Sequence, residues 1–202
     1  MAVARDPKPR RGRGRPRAGE SDGKSRILAA AEHEFSEHGY DGATTRAIAA
    51  RAGVDAAAIH HHFGTKSDLF ARVIDAPIRP DKALPEILEG PSDEVGERIV
   101  RYLLETLDDP AVRRRAVTML RTGVGNRVMT PMLAGFLERE VISRLAGSLD
   151  ADDARLRASL AGSQIGGLLL GRYVLKLPAL VDTSNDELAR RIGRTIQSYL
   201  AD

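Results

Sequence analysis

The chain has 202 residues, 42% hydrophobic and 29% charged, enough to bury a core as one domain or two small ones. With no cysteine, disulfide scaffolds, thiol catalysis and cysteine metal sites are excluded. No apolar run approaches the roughly 20 residues that span a bilayer, and the charged N-terminus lacks the apolar segment of a secretory signal, so a cytoplasmic protein with no membrane partner is expected.

The net charge of +3 is uneven: residues 1–24 hold eight Lys or Arg against three acids, a surplus of five, which leaves −2 for the rest. Positive charge gathered in an arm is how nucleic-acid-binding tails are built. Residues 1–20 contain Pro7, Pro9 and Pro16, three glycines and no aliphatic stripe, so nothing there offsets the entropy of ordering and a disordered basic arm is expected. Within it, Arg13-Gly14-Arg15-Pro16-Arg17 resembles the core of an AT-hook, with Gly12 where a proline usually precedes. Insertion of Arg13, Arg15 and Arg17 into an A·T minor groove and simple contact with phosphates both fit, and both steepen salt dependence.

A helix is predicted from Ser21 or Asp22 to His38, with Ile27, Leu28, Ala31 and Phe35 on one face and Gly39 as its stop. Thr44 and Thr45 then stand where an N-cap belongs, ahead of the apolar stripe Ile48, Ala49 and Ala52. Gly53 turns the chain, and Asp55 caps a second short helix from Ala56 to about His62, whose Ile59 and Phe63 face back toward the first. That is a helix-turn-helix. Lys66 opens a further helix to about Ala76, and Pro77, Pro80 and Pro85 break the pattern, so residues 21–76 read as one unit and 77–202 as a second.

The second unit repeats apolar residues at three and four. Val95, Ile99, Leu103 and Leu107 form one stripe, Val112, Ala116, Met119 and Leu120 another, and Met129, Leu133, Phe136, Val141 and Leu145 a third. A long apolar helix from Ala154 to Leu177, ended by Pro178, and a last one carrying Leu188, Ile192, Ile196 and Tyr199 complete an all-α fold.

From about Lys24 to Phe70 the sequence resembles the N-terminal DNA-binding domain of TetR-family transcriptional repressors: an amphipathic helix ending in Gly39-Tyr40, then TTRAIAARAGV, a short helix closing in His-His-Phe, and Lys66 opening a fourth. Where the family carries tyrosines on either side of the central His, this chain has His60 and His62, and three alanines follow Asp55. The resemblance implies a homodimer on a pseudo-palindromic operator in double-stranded DNA, released by a small apolar effector. Thr44, Thr45 and Arg46 would meet phosphate at a helix N-terminus, Ala56 and Ala57 would face base edges with thymine-methyl contact favoured, and His60, His61, His62 and Lys66 would hold the backbone.

In the family the last two long helices form a four-helix bundle with a second subunit, which points to Gly162, Gly166, Leu170, Ile192 and Ile196 as an interface. Four glycines in one helix, at roughly 1 kcal/mol each, argue close helix approach, within one subunit or between two. An effector pocket is expected among Tyr102, Leu103, Met119, Thr122, Met129, Met132 and Phe136, residues that equally suit a plain core.

No cofactor, metal or enzymatic activity is expected. Side chains of three successive helical histidines fan out at about 100° and cannot chelate one ion. Glu34 and His38 lack further ligands, and Gly123-Val124-Gly125 lacks the third glycine and the strand of a dinucleotide site. An architectural protein coating A·T-rich DNA through the arm is the rival reading; an enzyme on the same fold is a distant one.

Overall fold

A computed structural model describes residues 18–201 except Val124, so Arg13, Arg15 and Arg17 lie outside the described residues. Helices α1 (Ala18–Gly42), α2 (Thr45–Ala52), α3 (Ala56–Phe63) and α4 (Lys66–Val73) form the N-terminal unit. The body follows with α5 (Pro80–Leu88), α6 (Val95–Thr106), α7 (Pro110–Gly123), α8 (Met129–Leu137), a π turn (Glu138–Ile142) and α9 (Ser143–Ala146). Then come α10 (Ala154–Leu169), a second π turn (Leu170–Val174), α11 (Pro178–Asp182) and α12 (Asn185–Leu200).

The capping chemistry of the N-terminal unit is that of its sequence. Thr44 accepts a hydrogen bond from the Ala47 amide at 3.1 Å, Asp55 one from Ala57 at 2.7 Å, and Thr65 and Asp68 form a reciprocal capping box on α4. Gly53 closes α2 at φ 63°, a left-handed conformation that a side chain resists, and this sets the sharp turn between α2 and α3. Gly39, at φ 68°, ends the regular part of α1 after His38.

Several boundaries differ from expectation. The first helix opens at Ala18 rather than Ser21, because Ala18, Gly19 and Glu20 follow the last proline of the arm and nothing after it stops a helix. α4 ends at Val73, where Asp75 takes φ 47°, not at Ala76. Pro80 and Pro85 do not break the chain: Pro80 occupies the first turn of α5, and Pro85 sits inside that helix. The bond that Pro85 cannot donate would have gone to the Asp81 carbonyl, which instead accepts from Arg144 at 3.2 Å. Likewise the long helix from Ala154 stops short of Leu177, and Pro178 opens α11 rather than ending its predecessor.

Two cores result. One gathers Leu84, Ile99, Val100, Leu104, Ala158, Leu168, Leu188 and Ile196 inside the body. The other, around Ile27, Phe35, Tyr40, Ile48, Ile59 and Phe70, also takes Met132 and Phe136 from α8. The N-terminal unit therefore has no closed core of its own, and the division at residue 77 cuts through packed side chains.

The closest helix pair is α6 with α12. A methyl at Gly96 would run into the Gly193 carbonyl oxygen, and one at Gly193 would lie 2.5 Å from the Glu97 Cα. Gln197 locks the crossing by accepting from the Gly96 amide and donating to the Ser92 carbonyl, both at 2.9 Å. Within the subunit, glycine marks close approach here and not at Gly166 and Gly167, where an added methyl meets nothing of the same chain within 4 Å. Gly193→Ala should cost about 3 kcal/mol of stability, because backbone rather than a mobile side chain stands in the way. Gly23→Ala, in open space within α1, should gain up to about 1 kcal/mol. Denaturant midpoints of the two variants check both signs.

Candidate nucleic-acid interface and effector cavity

On the helix-turn-helix, burial sorts side chains as the apolar stripes require. Ile48, Ala49, Ala52 and Ile59 are buried, while Thr44, Arg46, Ala56, Ala57, His60 and His61 are exposed and Thr45, His62 and Lys66 are half-buried. The exposed start of α3 presents free methyl groups of Ala56 and Ala57 beside the Asp55 cap. His60 Nδ1 lies 3.1 Å from the Gly64 carbonyl, which can only accept, so that nitrogen carries the proton and only Nε2 is left to face outward. Lys66 is partly committed inward, with its Nζ 4.6 Å from the Tyr40 ring centroid and 3.4 Å from the Asp41 carbonyl. Burial lowers its pKa, with Asp41 opposing.

Behind this surface, Glu34 is buried and accepts from Arg51 Nε at 2.7 Å, fastening α1 to α2. His38 stands 3.7 Å from the same carboxylate. Among the described residues no group of His, Asp or Glu is placed to hold a metal.

The junction with the body is aromatic and then ionic. The Tyr40 ring meets Phe70 at 4.9 Å and Phe136 at 5.3 Å, both edge to face, and Phe70 stacks on Phe136 at 5.0 Å. Such pairs contribute about 0.5–1.5 kcal/mol each beyond the area they bury. With only eight Phe and Tyr in the chain, placing Phe35, Tyr40, Phe70 and Phe136 together concentrates half of them at this joint. The Tyr40 hydroxyl donates to Glu140 at 2.7 Å, and Arg144 donates to the other oxygen of Glu140 at 2.5 Å and to Asp81. Burial, reinforced by Glu140, holds the Tyr40 phenol far above its ordinary range, so it stays a donor.

A second tie runs through Arg79. Its guanidinium grips both oxygens of the buried Asp81 at 2.9 and 2.6 Å and reaches Asp68 on α4 at 2.9 Å, where Lys82 joins at 3.1 Å. Burial pushes the Asp81 carboxyl up, but the hydrogen bond and charge of Arg79 outweigh it and hold the group below the usual range. Burial likewise opposes ionisation of Asp68, and bonds from Thr65, Arg79 and Lys82 overcome it by a wide margin.

Beside this joint lies a cavity of about 610 Å³, within the roughly 300–1,000 Å³ range of ligand pockets. Tyr102, Leu103, Met119 and Phe136 line it, with Leu107, Leu120, Val141, Ile142, Leu145 and Ile165. Thr122, Met129 and Met132 do not. Thr122 is exposed and bonds back to the Thr118 carbonyl, Met129 packs toward Gly123, and Met132 turns to Ser36 in the N-terminal core. Their shared period with the true lining residues concealed a different face. Leu133, Phe136 and Leu137 on α8 line the same cavity, and its exposed edge falls on Ala134 and Leu137 of α8 and Ser159 and Gly166 of α10.

Of the expected interface residues, Ile196 is fully buried within the subunit, and a methyl added at the half-buried Gly162 would lie 3.2 Å from Ile142. Ile192 is half-buried against the body core and Gly166 is exposed. Leu170 is 45% exposed and continues a stripe with Leu156 at 58% and Leu160 at 37% along α10. Sequence reading missed Arg79, Asp81, Glu140 and Arg144. One signal was present: the apolar stripe steps five residues from Phe136 to Val141, which is the spacing a π turn absorbs.

Residues 27–73 match the family of bacterial regulatory proteins described as tetR family, and residues 93–200 match the Tetracyclin repressor-like C-terminal domain. The HTH-type transcriptional repressor AcnR of Corynebacterium efficiens is 33% identical over 140 residues, covering 68% of this chain and 70% of that protein. A TetR-family regulator from Streptomyces coelicolor is 33% identical in a crystal structure covering 94% of this chain and 100% of that one, at a TM-score of 0.48. The fatty acid degradation regulator FadR from Bacillus halodurans, 17% identical, shares the fold at a TM-score of 0.50 over 88% of this chain and 100% of its own.

Both carboxyls held by Arg79 are depressed in the folded state. Their contribution is therefore present above the ordinary carboxylate range and lost as pH falls through the folded values. The melting temperature should fall steadily as pH is lowered from about 5 to about 2.5. Arg79→Met should flatten that acid limb while costing about 3 kcal/mol at neutral pH, since it leaves Asp81 buried without its cation. Calorimetric melting across pH measures both effects.

Proposed function

Since this chain belongs to the TetR family of transcriptional regulators, we propose that it represses transcription as a homodimer on a pseudo-palindromic operator and is released by a small apolar effector in the 610 Å³ cavity. The observation that carries the effector reading is one short segment. From Glu138 to Ala146, Val141, Ile142 and Leu145 line the cavity while Glu140 and Arg144, one turn away, hold Tyr40 and α5. A ligand that displaces the cavity wall thus moves the residues that orient the helix-turn-helix. It shifts operator binding by its differential affinity for the two arrangements.

On DNA, Thr44, Thr45 and Arg46 at the positive end of α2 take phosphate, while Ala56 and Ala57 enter the major groove and contact thymine methyls. His61 and Lys66 hold the backbone on either side, together with His60 and His62. With Nδ1 committed to Gly64, His60 turns only Nε2 toward a phosphate. A single helix-turn-helix buries little surface, and the exposed stripe of Leu156, Leu160 and Leu170 supplies an apolar face for the second copy. The architectural reading leaves the cavity and its polar link to Tyr40 without a role.

Selection of bound duplexes from random sequence tests the proposal. It should return a two-fold related site, and a preference no stronger than for random DNA overturns it. His61→Ala with Lys66→Ala should weaken binding to all duplexes alike and lower the salt slope by about 1 for the lost lysine. Leu160→Arg should yield a monomer in sedimentation, with operator affinity reduced about 100-fold or more through lost avidity.

A further inference from the structure

We infer that the cavity takes an uncharged apolar molecule carrying one hydrogen-bond acceptor, of the aryl or alkyl ketone and ester class, and rejects carboxylates of the same size. This rests on the reading of the cavity as the effector site and narrows it to a ligand chemistry.

The polar inventory of the wall is small and almost wholly committed. None of the described residues that line the cavity is charged, and its side-chain hydroxyls are those of Tyr102, Thr130, Ser159 and Tyr173. Thr130 donates to the Gly123 carbonyl at 2.7 Å and Ser159 to the Arg155 carbonyl at 2.8 Å. Tyr102 donates to the Arg79 carbonyl at 3.4 Å. Each hydroxyl has one proton, so these three have none to offer a ligand. Tyr173 alone among the four has no hydrogen-bond partner among the described residues, although it is half-buried and burial raises its phenol above the ordinary range.

Burial dominates at the Tyr173 phenol; beyond the wall the charges of Arg172 and Arg113 act against it and that of Asp108 with it, and both guanidiniums have acceptors of their own. Arg172 donates to the Thr183 carbonyl and to Asn185 Oδ1, at 3.1 and 3.0 Å, and Arg113 donates to the Leu107 carbonyl at 3.2 Å. A carboxylate entering the cavity would give up several water hydrogen bonds, recover at most one from the wall, and find no charged side chain lining it. A ketone or ester carbonyl loses far less and is satisfied by the single Tyr173 donor, while the rest of the molecule meets Leu, Ile, Val and Met side chains.

The test uses the full chain and three size-matched probes: para-butylacetophenone, para-butylethylbenzene, in which the carbonyl becomes a methylene, and para-butylbenzoate. Calorimetric titration of the wild-type protein should rank the ketone roughly fivefold tighter than the hydrocarbon, the worth of one net hydrogen bond. The carboxylate should bind at least about tenfold weaker than the ketone. Tyr173→Phe should bring the ketone level with the hydrocarbon while leaving hydrocarbon affinity as in wild type, which also shows that the variant's cavity is intact.

Benzoate binding as tight as the ketone overturns the inference, as does a ketone preference that survives Tyr173→Phe, or no binding of the ketone. If Tyr173→Phe loses the hydrocarbon too, the ketone-to-carboxylate ratio in wild type decides. Should the carboxylate prove the better ligand and also release operator DNA, the neutral-ligand inference falls while effector-relieved repression stands.

Discussion

The hydrogen bond from the Tyr40 hydroxyl to Glu140 is the point at which a DNA-reading unit and a ligand-sized cavity become one mechanical object. Tyr40 directly follows Gly39, where α1 leaves its helical path, so its ring lies under α4 and against Phe70. Glu140 belongs to a π turn, and the extra residue in that turn lets one short stretch of chain serve two faces. A regular helix from Met129 to Ala146 would rotate the later side chains by about 100° relative to the earlier ones. The acceptor for Tyr40 and the apolar wall formed by Val141 and Ile142 could then not both be in place.

The division of the cores carries the same lesson. Met132 and Phe136 are body residues by chain position, yet they complete the core around Phe35, Tyr40 and Phe70. Phe136 lines the cavity as well. A side chain that belongs at once to the N-terminal core and to the cavity wall transmits displacement without an intervening linker, because close-packed interiors shift rather than compress. The ionic tie through Arg79 fastens the start of α4 to Asp81, whose carbonyl Arg144 also holds, so Tyr40, Glu140, Arg144, Asp81, Arg79 and Asp68 form one connected network across the joint.

The N-terminal unit was legible in the sequence almost residue by residue, because its signals are local. Thr44, Gly53 and Asp55 cap or turn the chain through groups within a few positions of themselves. The body was legible as helices but not as surfaces. Met129 and Met132 share the period of Phe136 yet face Gly123 and Ser36, because the face on which α8 packs is set by α1 and not by its own pattern. Pro85 read as a stop because its missing bond looked unanswerable, and the answer, Arg144, lies 59 positions along the chain from Pro85. Glycines were noticed where they are dense, on α10, whereas the pair that brings two helices of the subunit into backbone contact sits singly on α6 and α12, and spacing within one helix carries no trace of its partner.

That glycine pair also decides which side of the cavity can yield. Gly96 and Gly193 bring α6 and α12 into backbone contact, with Gln197 bonded across the crossing, so this side has neither slack nor a mobile side chain to absorb strain. Another part of the wall is built from α8 and α10, each of which runs on into a π turn, at Glu138–Ile142 and Leu170–Val174. In the proposed response, a molecule entering the cavity meets an unyielding wall at α6, braced by α12, and its displacement passes to the segment carrying Glu140. On the proposed mechanism, stability and responsiveness belong to different walls of the same cavity, and the wall that gives is the one that touches Tyr40.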